Sequence, residues 1–526
     1  MLAAVGQWTD WQLRSALGRL VASGLVLQRD LPPRASFLFK HALVQDVAYS
    51  MLLLGLRRSL HGRIAQSLEE RFPDAMQAHP ETLAHHFTEA GLFEKAVGYW
   101  CLAGRQSAAK SALAEAIAQL RRGLALIAHL PDTSESKQQE LDLQIALASA
   151  LQVVRGYAHT EVRDAFGRAC SLILATEREG TITHLSILRG LWAADFVSGK
   201  PKAALDHAKQ FLSLSQSQRD ARLSAIGHWL VGRVLIAVGD YPSAISHLEC
   251  AVVSYRAGKD WKSDPPLAAD IGVFALAGWA LALWHRGNPD QARAAAAEAL
   301  QRARQLHDLH TNAYALLIIG IEAICEREAA KTEELANELV ALSDEHRFAF
   351  FSGFGQIFQG WALAQSGEGR TAVQRIREGL AAAEATGWQK HEPGFLGLLA
   401  EALAMTGAIE EGLTVLVEAL DTAEASGARG ADAELHRLRG SLLQRLPSPD
   451  WTEVERCFRT ALSIARSQGT RGFELRAAVS LAGLLNGQGR REEAHGLLAP
   501  VYGRFTEGFD TPDLKEANAV LKPLGA

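Results

Sequence analysis

Gly239-Asp240-Tyr241-Pro242-Ser243-Ala244-Ile245 reads as the end of one helix, a two-residue turn and the start of the next. A glycine at 239 can take the left-handed backbone conformation that closes a helix, and Pro242 fits a first helical turn but not an interior one. The apolar side chains on either side then belong to two helices that face each other. Similar punctuation recurs at Gly199, Gly287, Gly367, Gly407 and Gly489.

The spacing decides the architecture. Gly199 to Gly239 is 40 residues, Gly239 to Gly287 is 48, Gly367 to Gly407 is 40, and Gly287 to Gly367 is 80, or two periods. Four residues before the turn glycine stands Leu235, Leu283, Leu363, Leu403 or Leu485, and five after it Ala204, Ala244, Ala292, Ala372 or Ala494. Eight residues further on come Leu212, Val252, Leu300, Leu380, Leu420 and Tyr502. A repeat without the glycine keeps register through Thr332 and Val340, and another through Val454 and Leu462 after Pro447-Ser448-Pro449-Asp450. Small residues let two helices approach, and large ones eight apart share a face two turns on. The expected fold is therefore all-α, a right-handed superhelical, tetratricopeptide-like solenoid of antiparallel helix pairs.

Composition sets the limits on function. The chain has 526 residues, 48% of them hydrophobic, and a formal net charge of −5, so no global charge draws it to nucleic acid or anionic lipid. No 18-residue run is free of charges or turn breakers, which argues against a membrane span. Cys101, Cys170, Cys250, Cys325 and Cys457 are scattered without a CxxC pair, as expected of core thiols in a reducing cytoplasm.

Residues 1–73 lie outside the repeat register. A helix capped by Thr9 or Asp10 carries Leu13, Leu17, Leu20 and Val21 and stops at Gly24. Two β-like runs, Leu25–Gln28 and Ser36–Phe39, flank a turn at Pro32-Pro33, and helices follow from about His41 and Arg57. This is the outline of a winged-helix-like unit. DNA reading needs a basic recognition helix, and the helix before the hairpin offers only Arg14 and Arg19. A helical adaptor over 74–131 and the repeat array over 132–526 complete the expected domains, with the polar window 132–139 as their seam. The loop 257–266, holding Asp260-Trp261-Lys262 and Pro265-Pro266, is either a binding insertion or a disordered one.

Catalytic motifs are missing. Ser198-Gly199-Lys200 lacks the first glycine of a phosphate loop, because Ala194 stands there, and no GxSxG or HExxH occurs. Adjacent His85 and His86 point to different helix faces, and His307 with His310 share a face without a completing ligand, so no metal site is expected. Glu333-Glu334 and Glu410-Glu411 complement helix dipoles. Trp279, Trp284 and Trp361 precede turn glycines and are expected to pack in the core or groove. The concave face of such a solenoid suits an extended peptide or a partner helix.

Several stretches resemble one family. Trp361-Ala-Leu-Ala, Leu399-Ala-Glu-Ala-Leu-Ala, Leu83-Ala-His-His-Phe-Thr-Glu-Ala-Gly91 and Phe39-Lys40-His41-Ala42-Leu43-Val44-Gln45-Asp46-Val47-Ala48-Tyr49 carry the likeness. The most specific stretch is Leu497-Leu-Ala-Pro-Val-Tyr-Gly-Arg-Phe-Thr-Glu-Gly-Phe-Asp-Thr-Pro-Asp-Leu-Lys-Glu-Ala517. They resemble the C-terminal part of large bacterial signalling proteins, in which a class III adenylate/guanylate cyclase-type domain and an AAA/STAND-type ATPase precede a tetratricopeptide-like tail. The resemblance implies a non-catalytic regulatory scaffold binding a protein or peptide on its solenoid face and acting on an upstream ATPase or cyclase domain or subunit. The alternatives are the C-terminal fragment of an ATP-binding cyclase and a STAND-type transcriptional regulator. ATP, ADP and Mg are expected only with the upstream domains, and no cofactor in this chain. His41 looks like the winged-helix histidine that approaches the β-phosphate of ADP in STAND ATPases, where an imidazole at a helix start suits an anion. The competing reading has it capping that helix.

Overall fold

The structure, a computed structural model, describes residues 2–6, 8–30, 36–110, 112–257, 270–388 and 393–525. The Pro32-Pro33 turn and the 257–266 loop beyond Ala257 lie outside the described residues. Two compact units emerge: Met1–Val154 with Asp164–Glu177, and Arg155–Arg163 with Arg178–Ala526.

In the first unit, α1 (Leu2–Gly6) and α2 (Asp10–Ala22) precede a hairpin of β1 (Val26–Arg29) and β2 (Ser36–Phe39). The strands are antiparallel, with Val26 opposite Phe39 and Arg29 opposite Ser36. Thr9 caps α2 in a reciprocal box with Gln12. Helices α3 (Ala42–Ser50), α4 (Leu54–Arg71), α5 (Pro73–Ala78), α6 (Pro80–Ala90), α7 (Phe93–Ala109) and α8 (Leu113–Ile127) follow. Phe87, Leu83 and Trp100 are buried where α4, α6 and α7 meet. The polar window 132–139 forms the start of α9 (Ser134–Arg155), and α10 (Thr160–Ala175) runs next.

The second unit is an all-α solenoid of antiparallel pairs. They are α11 (Ile182–Val197) with α12 (Pro201–Ser217), α13 (Ala221–Val238) with α14 (Tyr241–Ala257), and α15 (Ile271–Arg286) with α16 (Pro289–Leu306). Then come α17 (Leu309–Cys325) with α18 (Ala329–His346), α19 (Ala349–Gln365) with α20 (Gly369–Ala385), and α21 (Gly394–Met405) with α22 (Ile409–Ser426). The last pairs are α23 (Asp432–Leu443) with α24 (Trp451–Gln468) and α25 (Arg471–Gly487) with α26 (Arg491–Tyr502), closed by α27 (Pro512–Leu524).

The leucine–glycine spacing has a hydrogen-bond cause. Gly239, Gly287, Gly367, Gly407 and Gly489 have φ between 82 and 88°. The N–H of the residue after each glycine donates to the carbonyl of Leu235, Leu283, Leu363, Leu403 or Leu485 at 2.9–3.1 Å, which closes the helix end. Ala244, Ala292, Ala372 and Ala494 are fully buried, Leu380 is buried and Leu420 half-buried, all on the second helices of their pairs. Arg327 takes the turn position of the repeat that lacks glycine, with φ of 60°. A second set of turns, between pairs, falls at His307, Arg347, Gly387 and Gly427, each with positive φ and 40 residues from the next. His307 and His310 therefore flank a turn instead of sharing one helix face, because the backbone reverses between them.

Among the described residues one helix, Ala221–Val238, is long and apolar enough by composition to cross a membrane, yet 72% of it is buried in the structure. No disulfide joins the five cysteines; Cys101 and Cys457 are buried, whereas Cys250 is exposed on α14, correcting the expectation that all five are core thiols.

Candidate functional site

The first helices of the pairs face inward, and close approach sets their positions. A Cβ added at Gly320 would lie 2.5 Å from the Phe358 ring, and one at Gly360 would lie 2.5 Å from Ile376. Those glycines, 40 residues apart, let α17 press against α19 and α19 against α20. The solenoid then meets itself. The Gly430 N–H donates to the Ala237 carbonyl at 2.9 Å, and His285 Nδ1 lies 2.9 Å from Thr470 Oγ1.

A cavity of about 250 Å³ lies inside this closure. Its apolar wall includes Leu281, Ile321, Ile324, Phe395, Leu398 and Leu438. Its lining also carries a charge ladder. Glu434 accepts two bonds from Arg437, at 2.7 and 2.9 Å, and lies 3.6 Å from Arg476. Arg476 donates to Asp513 at 2.9 Å and to the Cys325 carbonyl, and Arg327 pairs with Glu516 at 2.8 Å and Asp513 at 3.5 Å. Burial alone would raise the Glu434 carboxyl, but the Arg437 and Arg476 guanidiniums overcome it and hold Glu434 at about 2. Burial, aided by Arg476, pushes His285 down to about 3, so its ring is neutral where it stacks on Tyr241 at 3.9 Å.

The three tryptophans divide between these roles. Trp361, 3% exposed, donates its indole N–H to Glu401 at 3.1 Å and aims that carboxylate along the cavity wall. Trp284 packs edge-on against Phe473 under Arg476, and Trp279 lies beneath Arg256. Glu401 and Arg476 went unflagged in the sequence although a signal existed. A lone charge in α21, apolar on nearly every face, has no solvent side to occupy and must find a polar interior.

His41 occupies the N-cap position of α3, but its side chain makes no capping hydrogen bond and is exposed. His85 and His86 are brought together around a third histidine that the sequence did not single out. His61 Nδ1 lies 2.8 Å from His86 Nδ1, its Nε2 lies 3.0 Å from the Tyr49 hydroxyl, and its ring is 5.8 Å from that of His85. Burial, then His61 and His85, push His86 down to about 4. Among the described residues no group of three His, Cys, Asp or Glu is placed to hold a metal ion.

No protein-family model matches the chain. An uncharacterised protein of Rhizobium meliloti (strain 1021) is 24% identical over 472 residues, which are 89% of this chain and 45% of that protein. The chain thus spans less than half the length of the curated relative it matches. Among solved structures, a Rap protein complexed with competence and sporulation factor superposes with a TM-score of 0.51 at 15% identity. That superposition covers 71% of this chain and 99% of the Rap chain, and the shared helical-repeat fold is what it shows. A signal transduction ATPase with numerous domains and a tetratricopeptide repeat sensor, from Pyrococcus horikoshii, reaches only 0.38 at 13% identity, over 73% of this chain and 55% of that one.

Proposed function

We propose that this chain is a non-catalytic regulatory and protein-interaction module of a bacterial signal-transduction ATPase or cyclase system, with the cavity of the solenoid as its ligand site. The observation that carries the reading is the convergence of seven inward helices and α27 on one half-polar cavity, which a ligand would bridge. Four arginines and four carboxylates line it, so their charges cancel and a phosphate-rich ligand gains no net attraction there. A peptide segment, with its own donors and acceptors and an apolar side chain, fits that wall better. A ligand that binds one superhelical arrangement better than another would shift the array between them and so bias a linked partner.

The test is selection of peptides from a random display library on the full chain, followed by titration of the winners into Trp361→Ala and Phe395→Ala. Binding weakened about tenfold or more by both cavity variants supports the reading. Binders indifferent to both variants would refute it.

A second reading, that the chain acts as the C-terminal part of a longer ATP-binding cyclase, is favoured by the first unit. Trp11, Leu43, Met51, Leu53 and Leu54 are 64–79% exposed there. So many exposed large apolar side chains suit a further domain, ATPase or cyclase, packed on a winged-helix-like unit. In that assembly His41 would sense the nucleotide phosphate. His41→Ala should then speed ADP release and raise basal activity of the full assembly, and unchanged release would remove the assignment.

A further inference from the structure

A further set of contacts across the solenoid, between α16 and the loop before α27, centres on one buried acid. Glu326, just beyond α17, is 1% exposed, and its Oε2 accepts from Arg293 Nε of α16 at 3.0 Å. Arg293 also reaches Asp510, in the loop before α27, at 3.1 Å, and Asp290 and Glu328 at 3.6 Å each. Beside it, Gln291 bonds Glu507 at 3.1 and 3.2 Å, and the Gly508 N–H donates to Asp290 at 3.1 Å. One guanidinium thus fastens α16 to a loop 217 residues further on.

The acid side of this seam is crowded. Glu322, one helical turn before Glu326, is fully buried, and its Oε2 takes Lys331 Nζ at 3.0 Å. Glu322 Oε1 and Glu326 Oε1 have no hydrogen-bond partner, nor has Asp513 Oδ1, which Arg327 approaches at 3.5 Å. Glu326 and Asp513 both line a cavity of about 20 Å³, enough for one water. Six carboxylates, Asp290, Glu322, Glu326, Glu328, Asp510 and Asp513, thus face Arg293, Arg327, Lys331 and Arg476. Two unpaired oxygens one turn apart in a buried site cannot both belong to ionised groups without large cost.

We propose that the Glu322–Glu326 pair shares a proton and thereby sets how tightly the loop before α27 is held against α16. With the proton present, Arg293 is left to hold Asp510 and the seam is tight. Once both acids ionise, the new charge on Glu326 repels Asp513 and Asp510, and one Arg293 guanidinium is then shared between Glu326 and Asp510. Burial, then the Glu322 carboxylate, push Glu326 up to about 7 against Arg293 and Lys331. A carboxyl raised in the folded state gives stability that is full below its unfolded value, near 4.5, and is lost as pH rises through about 7. The seam therefore loosens toward alkaline pH.

The functional meaning rests on the cavity being the ligand site, but the test does not. Hydrogen exchange of the 503–511 amides is measured in the full chain at about pH 6 and pH 8, with the intrinsic rate divided out. Wild-type protection should fall about tenfold or more between them, as one unit of linked titration implies. Glu326→Gln should be equally protected at both. Glu322→Gln, which removes the repelling neighbour, should flatten the dependence as well and decides the matter if the first variant folds poorly. Wild-type protection independent of pH, or variants that keep the wild-type dependence, would overturn the proposal. A cavity that takes no ligand would leave this readout unmoved, so the two readings fail separately.

Discussion

The Tyr241 hydroxyl donates to the Gly430 carbonyl at 2.8 Å across 189 residues of sequence, in a site where the tyrosine is only 2% exposed. Tyr241 belongs to the turn that sets the repeat, and Gly430 precedes the helix pair five pairs later. A Cβ at Gly430 would meet the Ile236 carbonyl oxygen at 2.5 Å, so this closure needs glycine for space. Tyr241→Phe should cost about 1–3 kcal/mol by leaving a buried carbonyl unpaired, and Gly430→Ala should cost more, because backbone must move. Urea midpoints in the full chain measure both.

The repeat register makes an independent prediction. Ala292→Trp and Ala372→Trp each force bulk into a fully buried helix contact and should lose about 1–3 kcal/mol. Glu411→Lys, at an exposed position whose partner is the exposed Arg377, should stay within about 0.5 kcal/mol. Circular-dichroism melts that placed all three together would show the register to be misassigned.

The charge ladder should answer to acid. Glu434 is held below its unfolded value, so its contribution is full above about 4.5 and is lost as pH falls toward 2. Glu434→Ala strands Arg437 and part of the Arg476 pairing, a loss of roughly 3–5 kcal/mol. Denaturation at neutral pH and again near pH 3 should show the gap between variant and wild type shrinking in acid.

His285 gives a second acid-sensitive point. Its ring is neutral and buried, with a folded value near 3 against an unfolded one near 6.5, so its stabilising share is full above 6.5 and drains as pH falls. Replacing it by Gln should flatten part of the stability loss between pH 6.5 and 4, at up to about 1.4 kcal/mol per unit. An unchanged slope would mean the ring is not held neutral.

Much of the solenoid was legible because its punctuation is local chemistry. The glycine that must turn left-handed and the leucine whose carbonyl receives the capping bond lie four residues apart in one chain segment. The second set of turns was hidden because Arg347 and His307 bear side chains at positive φ, where tertiary packing overrides residue preference. The cavity was harder still. Nothing local ties Arg476 to the Cys325 carbonyl or Tyr241 to Gly430; these pairs exist only once the solenoid has wound far enough to meet itself. His61 was missed for the same reason, since α4 and α6 bring it to His86 across 25 residues.

The most direct measurement fills the cavity. Leu398 lines it from α21 and is only partly buried, so Leu398→Trp places an indole in the space a ligand would use. Isothermal titration with a peptide selected on the wild-type chain should show binding lost or weakened about a hundredfold, while the variant melts within a few degrees of wild type. Unchanged affinity in a folded Leu398→Trp chain would mean the cavity is not where this protein meets its partner.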